Sequence, residues 1–215
     1  STSSADGSYC IMVFLSFSES QKTNVHNKKA GKSQFDGTIS HKVLDNYLSR
    51  AVTHMGLLSS YPDATTTCRK DDIRMLKSIG AKFIGRTAFT WGIPPDEEAH
   101  FNEVERSAKL VHSADSTMIL QAAIFEIITP EVNRIPIPAW VFREFGLKVQ
   151  DRNFRYEDMI YEDGHFEDRF GPQNSVPDMS RKETRMWFYY RARRYINSGC
   201  EAIHFGQVHL MDGND

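Results

Sequence analysis

The chain has 215 residues, enough for one large domain or two small ones with a sizeable core. Hydrophobic residues make up 40% of the sequence and charged residues 25%, a globular balance that excludes a disordered or fibrous chain. The formal net charge of −2 argues against a general binder of nucleic acid or anionic membranes, and no stretch has the roughly 18 apolar residues of a membrane span. We therefore expect no nucleic-acid partner and no membrane span.

Cysteine spacing and missing motifs limit the chemistry further. Cys10, Cys68 and Cys200 lie far apart and form no CxxC pair, so we expect neither a zinc site nor a dense disulfide framework. One bridge with a third thiol stays open. The sequence has no GxGxxG, P-loop, G-x-S-x-G or HExxH motif, which weakens nucleotide-binding, lipase-like and zincin interpretations. We expect no cofactor and no bound metal.

Residues 1–37 are predicted to form an N-terminal segment and linker. The apolar run 10–17 fits a buried or edge strand, and its length also fits the hydrophobic region of a secretory signal. Residues 1–9 contain no Lys or Arg, which argues against the signal interpretation. The compartment stays open, with a secreted or periplasmic location favoured over a cytoplasmic one.

Regular elements are predicted after Gly37, beginning with two helices and a strand. Ser40 can cap a helix over 40–58, because apolar residues recur there at spacings of three and four. A second helix follows Asp71 and ends at Gly80. Residues 82–91 then predict a strand.

The same alternation continues to the C-terminus. Asp96 opens a third helix, and 118–128 is a near-continuous apolar run, typical of a strand covered on both faces. Ser180 and Glu183 form a capping box at the head of a helix that reaches about residue 198, and 201–210 predicts the next strand. Alternating helices and strands of this kind indicate an α/β fold with a parallel sheet.

The pattern of helix end, glycine, strand and in-strand glycine occurs in both 78–86 and 197–207. Together with the strand Ala-Ile-His-Phe-Gly-Gln-Val-His-Leu-Met, it resembles the N-terminal half of a glycoside-hydrolase-like (β/α)8 TIM barrel of a poorly characterised bacterial type, over about residues 38–212. The resemblance implies a TIM-barrel-type α/β fold, a carbohydrate substrate and hydrolysis of a glycosidic bond by paired carboxylates without a metal.

The predicted strands are too few for a closed barrel. Eight strands over about 250 residues are usual, whereas three are predicted here, or four with 10–17. We therefore expect 38–215 to form an incomplete barrel-like domain. A missing C-terminal half, an open α/β sheet, or completion by another copy in a homo-oligomer would each account for the shortfall.

Strand ends supply the candidate site, because ligands of parallel sheets and barrels bind at the carboxyl ends of the strands. Glu126, near the end of the most apolar strand, is the candidate catalytic residue, and an apolar setting suits a general acid. The alternative is a structural Glu126 paired with Arg86 or Arg134.

Asp212 is the candidate partner carboxylate, with the loop acids Glu157, Asp158 and Glu162 as alternatives. We expect substrate contacts from side chains near the strand ends and in the following loop: Arg86, Trp91, Gln121, Tyr156, Tyr161, His204, Gln207 and His209. Because His204 and His209 lie five residues apart on one predicted strand, their rings should point to opposite faces and share no metal ion.

Residues 129–179 form an excursion too long for an ordinary loop, with a short helix predicted around 139–145. The excursion mixes aromatic and acidic side chains, which suits stacking on sugar rings and hydrogen bonding to hydroxyl groups. An Ω-type loop that packs its own aromatic residues is an equal alternative.

Two rival functions stay open. The helix at 180–198 interleaves basic and aromatic residues, a composition that can bind single-stranded nucleic acid, although helical spacing places the rings on a buried stripe. The runner-up to a glycoside hydrolase is a non-catalytic α/β module that binds carbohydrate or a protein partner.

Overall fold

The structure is a computed structural model that describes residues 12–13, 40–59 and 66–213. Predictions for residues 1–11 and 14–39, including most of the possible signal segment and the linker, lie outside the described residues. Across the described ranges, no helix is long and apolar enough to cross a membrane.

Five strands form one sheet in the order β1-β5-β4-β3-β2. They are β1 (Met12–Val13), β2 (Ala51–Thr53), β3 (Phe83–Ala88), β4 (Ile119–Ile124) and β5 (Ala202–Phe205). Strands β2 to β5 are parallel, each beside its neighbour in the chain, and β1 pairs antiparallel with β5. The predicted α/β class with a parallel sheet is confirmed. A closed barrel is not shown, since within the described ranges no pairing joins β1 to β2.

In the part of the chain that the structure describes, six α-helices accompany the sheet. They are α1 (His41–Leu48), α2 (Thr66–Ser78), α3 (Glu97–Ala114), α4 (Ala139–Glu144), α5 (Lys182–Asn197) and α6 (Val208–Met211). The Asp96 side chain accepts a hydrogen bond from the Ala99 amide at 2.9 Å and caps α3 as predicted. Gly199, with φ of 102°, ends α5 in a conformation that only glycine adopts without strain.

Ser40 caps α1 as predicted, but the predicted helix over 40–58 is too long. Helix α1 ends at Leu48. After a two-residue turn, Ala51–Thr53 forms strand β2, in which Val52 pairs with Ile84. The carbonyl of Arg50 accepts a hydrogen bond from the Lys82 amide at 2.9 Å, which ties the chain to the sheet. Apolar residues at helical spacing continue past Leu48, but sheet pairing outweighs that local pattern.

The predicted capping box of Ser180 and Glu183 is also wrong. Helix α5 begins at Lys182, and its N-cap Arg181 makes no side-chain capping bond. The buried Glu183 carboxylate instead accepts hydrogen bonds from both Arg152 guanidinium nitrogens, at 2.6 and 2.9 Å. A bidentate ion pair with a guanidinium is stronger than a neutral capping bond, so Glu183 anchors the excursion to α5.

The predicted strand over 201–210 is too long. Strand β5 ends at Phe205, and Val208–Met211 forms the short helix α6. The chain leaves the sheet because the Gln207 amide donates to the Glu126 side chain at 3.0 Å rather than to a neighbouring strand. His209 therefore lies on a helix, and the strand geometry used above to separate it from His204 does not apply.

The two faces of the sheet differ. On one face of the sheet, strand residues such as Ile84, Leu120 and Ile203 pack with residues of α2, α3 and α5 in the main core. The alternate strand residues form two smaller clusters on the opposite face, one of Phe83, Ile119 and Ala202 beside Tyr47, and one of Phe89, Ala123 and Phe125. The helices α2, α3 and α5, which precede β3, β4 and β5 in the chain, therefore pack on the same face of the sheet.

Candidate functional site at the carboxyl edge

The carboxyl ends of β3, β4 and β5 lie together because the three strands are parallel neighbours. We call this region the carboxyl edge and define it by the residues at or just after those strand ends: Arg86, Phe89, Trp91, Phe125, Glu126, His204, Gly206 and Gln207. Five of the predicted site residues, Arg86, Trp91, Glu126, His204 and Gln207, lie here.

Three aromatic rings form a platform at this edge. The Trp91 indole stacks on the Phe125 ring with centroids 4.4 Å apart and planes 15° apart. Phe89 meets both rings edge-on at 5.5 Å. Phe89 and Phe125 are buried, whereas 52% of Trp91 is exposed. Because one indole face rests on Phe125, the exposed area provides a flat apolar surface for a ligand ring.

Glu126 is buried beside the platform and is held by one residue. Its two carboxylate oxygens accept hydrogen bonds from the Gln207 amide at 3.0 Å and from Gln207 Nε2 at 2.8 Å. A β-carbon at Gly206 would overlap the Glu126 carboxylate, so a larger residue there would force the carboxylate to move. The backbone of β5 thus approaches the carboxylate closely and fixes its position.

The structural alternative for Glu126, an ion pair with Arg86 or Arg134, is not observed among the described residues. Arg134 donates to the carbonyls of Ile93, Pro94 and Pro95 and so secures the loop that follows Trp91. Glu126 therefore lies next to an amide group rather than a cation.

Arg86 lies in an irregular part of β3. Three residues of β3 lie between Ile84 and Ala88, opposite the single residue Gln121 of β4, and Arg86 has φ of 54°. Such a positive φ is uncommon outside glycine and is often found at functional sites. The guanidinium carbon lies 5.8 Å from the centre of the Phe125 ring, so the charge lies next to the aromatic platform.

His204 and Gln121 lie deeper on the same face of the sheet. His204 is opposite Ala123 in the register and its ring meets Phe125 edge-on at 6.1 Å. Burial lowers the pKa of His204, the positive charge of Arg86 lowers it further, and Glu126 acts in the opposite direction. The ring is therefore neutral near pH 7. Gln121 is buried on β4 and is not at the edge itself.

The remaining predicted contacts lie elsewhere. Tyr161 and His209 line a separate cavity of about 120 Å³ between the excursion and α6. The buried Tyr156 hydroxyl shares a hydrogen bond of 2.6 Å with Ser175 inside the excursion. Asp212 is exposed at the C-terminal end of α6.

Two of the loop acids are engaged by arginines. Glu162 pairs with Arg181 at 2.9 Å, and Asp158 lies 3.8 Å from Arg155. Hydrolysis by two carboxylates would need a second acid close to Glu126. The rule that ligands bind at strand ends did not identify which acid that is. The three acids and Asp212 stay candidates for that role.

A cavity of about 30 Å³ lies beside the platform, where Trp91, Thr90 and Phe125 meet Trp187 and Arg191 of α5. This volume accommodates a water molecule or two and is too small for a sugar ring. A ligand of that size must therefore rest on the open surface of Trp91.

The basic residues of α5 mostly face protein. Arg191 pairs with Glu97 at 2.6 Å, Arg194 pairs with Glu98 at 2.8 Å, and Arg185 donates to backbone carbonyls. These contacts reduce the positive surface that a nucleic-acid backbone would need.

Sequence reasoning missed three residues of the edge. Phe89 and Phe125 form the buried base of the platform, and Gly206 makes room for the Glu126 carboxylate. The sequence shows aromatic residues just beyond the ends of two neighbouring parallel strands, so the platform could have been recognised. The close approach at Gly206 could not, because it depends on the Glu126 side chain, 80 residues away in the chain.

Residues 40–59 and 66–213 contain no group of three or more His, Cys, Asp or Glu side chains arranged to hold an ion. Cys68 is exposed and Cys200 is buried, and burial raises the pKa of the Cys200 thiol.

Comparison of the chain with family models, curated proteins and solved structures finds no match. Inference about function therefore depends on the geometry and electrostatics of the carboxyl edge.

Proposed function

We propose that the chain binds a carbohydrate at the carboxyl edge and that Glu126 is one of two catalytic carboxylates of a glycoside hydrolase. The observation that carries the proposal is an exposed Trp91 ring, stacked on the buried Phe125, beside the buried carboxylate of Glu126. Apolar ring faces and fixed hydrogen-bonding groups in one place match the two surfaces of a sugar.

Trp91 supplies the stacking surface. A large aromatic side chain that is 52% exposed leaves apolar surface in contact with water, and a stacked ligand ring would cover that surface. The C–H face of a pyranose ring can cover the open indole face while its hydroxyl groups extend to the rim.

Glu126 supplies a fixed hydrogen-bond acceptor. An ionised carboxylate has about four lone-pair positions, and Gln207 uses two of them. The remaining positions can accept sugar hydroxyl groups or take part in the reaction. Because Gln207 holds both oxygens, the carboxylate needs little reorganisation when a ligand binds.

The order of the strands supports the TIM-barrel-type fold that the sequence resemblance implies. Strands β2 to β5 follow one another without a reversal, and the helices α2, α3 and α5 pack on one face. Right-handed crossovers in a single direction give this arrangement, as in a (β/α) barrel, whereas a doubly wound sheet reverses direction and carries helices on both faces.

Hydrolysis requires a second carboxyl group, about 5–5.5 Å from Glu126 for retention or about 6.5–9.5 Å for inversion. We propose Asp212 for this role in the described part of the chain, because it follows β5 in the chain, directly after α6. Glu126, whose two oxygens are held by Gln207, would act as the nucleophile or base, and Asp212 would act as the acid.

Binding can be tested by titration calorimetry with a panel of oligosaccharides: cellohexaose, xylohexaose, mannohexaose, chitohexaose and an oligogalacturonate. We expect the wild type to bind at least one of them and Trp91→Ala to lose at least tenfold in affinity. Phe170→Ala is the matched control, because Phe170 is also an exposed aromatic residue, at 40%, and lies in the excursion. No binding by the wild type, or equal losses in both variants, would contradict the proposal.

Catalysis is tested with Glu126→Gln, which keeps the shape of the side chain. The variant should bind the same oligosaccharide and lose hydrolysis by about 10³-fold, within the range for removal of an acid or base group. A wild type that binds without turnover would instead identify a non-catalytic carbohydrate-binding module.

A further inference from the structure

We infer that the excursion 129–179 controls ligand affinity at the carboxyl edge through Arg134, a positioning residue that holds the Trp91 ring in its stacked place. The inference rests on the proposed carbohydrate site and gives the excursion a part in supporting that site. It is carried by the hydrogen bonds that Arg134 makes to the loop after Trp91, and by how close these bonds lie to the ring along the chain.

The loop that carries Trp91 has little support from its own backbone. Residues 90–95 lie between β3 and α3, and within the described ranges none of them takes part in a hydrogen bond between two backbone groups. Pro94 and Pro95 have no N–H group to donate, and Gly92 beside Trp91 allows many backbone conformations. The position of the indole therefore depends on side chains that hold the loop from outside.

Two arginines hold this loop, one on each side of Trp91. Before the ring, Arg191 of α5 donates to Thr90 Oγ1 at 3.1 Å. After the ring, the Arg134 guanidinium donates to three successive carbonyls. The acceptors are the carbonyls of Pro95 at 3.0 Å, of Ile93 at 3.4 Å and of Pro94. A guanidinium has five N–H donors in a fixed plane, so a single side chain can hold several carbonyls at once. Since only Gly92 separates Trp91 from the held carbonyls, Arg134 fixes the chain close to the ring.

Arg134 is itself fixed by the excursion. It is the last residue of a 3₁₀ turn, and the apolar residues on either side of it, Val132 and Ile135, are buried. The neighbouring Asn133 side chain accepts a hydrogen bond from the Tyr156 amide at 2.7 Å. The guanidinium therefore extends to the loop from a well-packed part of the excursion.

The surroundings of the two arginines separate positioning from folding. Arg191 is buried and pairs with Glu97, so its loss would damage the fold as well as the loop. Arg134 is exposed, so water can replace its hydrogen bonds at little cost to stability. Its loss should loosen the loop and leave the fold intact. A sugar would then have to order the Trp91 ring on binding, and this ordering lowers affinity.

The first measurement follows the Trp91 ring without any sugar. The full chain is labelled with fluorotryptophan, and the Trp91 signal in its fluorine NMR spectrum is assigned with Trp91→Phe. Arg134→Gln should shift or broaden this signal, because the stack on Phe125 is no longer held in one position. Arg134→Lys keeps the charge but lacks the planar group of donors, so it should have a smaller effect.

The second measurement is the affinity of each variant for the oligosaccharide that the wild type binds most tightly, by titration calorimetry. We expect Arg134→Gln to lose about fivefold in affinity and Arg134→Lys to lose less, with melting temperatures within about 4 °C of the wild type. Arg185→Gln is the matched control, because Arg185 is also exposed and also donates to backbone carbonyls, those of Met179 and Ser180. It should change neither the signal nor the affinity.

An unchanged Trp91 signal in Arg134→Gln, or an affinity equal to that of the wild type, would overturn the inference and leave the proposed function standing. Equal effects of Arg185→Gln would overturn it as well. A melting temperature of Arg134→Gln far below that of the wild type would assign Arg134 to the fold and also overturn it. Failure of the wild type to bind any oligosaccharide would contradict the proposed function, and with it the role of Arg134 in affinity.

Discussion

Two arginines, one on the helical side of the sheet and one at the carboxyl edge, have opposite surroundings. Arg191 on α5 is buried, pairs with Glu97 at 2.6 Å and donates to Thr90 at 3.1 Å and to the Tyr195 hydroxyl at 3.2 Å. The Arg86 guanidinium lies near the Phe125 ring and forms no ion pair with any described residue. A buried ion pair neutralises the charge of Arg191, whereas the described residues provide no such pair for Arg86.

The difference separates stability from function. A buried ion pair becomes costly when one partner is removed, because the other charge stays desolvated. A cation that has no partner contributes little to folding, so its removal should cost little. Substitutions on the two sides of the sheet should therefore have very different effects on the free energy of unfolding.

The largest effect is expected for Glu97→Ala. Removal of this carboxylate leaves the buried Arg191 guanidinium uncompensated, and the free energy of unfolding should fall by about 3–5 kcal/mol. The neighbouring Glu98→Ala is the control, because Glu98 is 73% exposed and its pair with Arg194 should contribute less than about 1 kcal/mol. Urea denaturation of the two variants measures the difference. Equal losses would show that burial does not distinguish these pairs.

Acid should lower the stability of the fold through His100, which lies on the helical side of the sheet. Burial, followed by the charges of Arg191 and Arg194, lowers the pKa of His100 to about 4. In the unfolded chain this pKa is about 6.5, so the unfolded state binds more protons between these values. Stability should be complete above about pH 6.5 and should fall by about 3 kcal/mol as the pH decreases to about 4.

His100→Gln should flatten this part of the pH profile, because an amide can still meet the Tyr195 hydroxyl, which lies 3.1 Å from His100 Nε2, and does not titrate. Denaturation at a series of pH values measures the slope. An unchanged slope in the variant would assign the acid sensitivity to other groups.

Gly206→Ala sharpens the account of the edge. The added β-carbon would overlap the Glu126 carboxylate and should cost about 1–3 kcal/mol, as overpacking does. It should also break the contact of Glu126 with Gln207 and weaken oligosaccharide binding. Gly92→Ala is the matched control, because a β-carbon there meets no atom within 4 Å. A fully stable Gly206→Ala that binds normally would contradict the proposed arrangement.

The smallest effect on stability is expected for Arg86→Gln. With no ion pair to lose among the described residues, the free energy of unfolding should change by less than about 1 kcal/mol. Thermal denaturation in the absence of ligand measures the change. A loss as large as that of Glu97→Ala would show that Arg86 supports the fold and would remove the contrast between the two arginines.

Much of the fold could be predicted because local signals and tertiary structure agree. The Asp96 cap, the Gly199 helix end and the fully buried strand β4 each rest on local chemistry that the sheet reinforces. Strand β2 was missed because its three residues continue the apolar spacing of α1. Strand β5 was extended too far because Val208 and Leu210 favour strands, whereas a hydrogen bond from Gln207 to Glu126 ends it.

The site was partly predictable for a similar reason. The rule that strand ends collect ligands found Glu126, Trp91 and Gln207, since it needs only the strands. It could not show that Tyr156 and Tyr161 belong to the packing of the excursion, where Tyr161 donates to the Leu210 carbonyl at 2.7 Å. Contacts between distant segments decided those positions, and no local pattern records them.

The most direct test of the carbohydrate site is a crystal structure of the chain with the oligosaccharide that binds most tightly. The account predicts a sugar ring stacked on Trp91 and a hydroxyl group within hydrogen-bond distance of Glu126. A sugar found instead in the cavity of Tyr161 and His209, with Trp91 uncovered, would contradict the account.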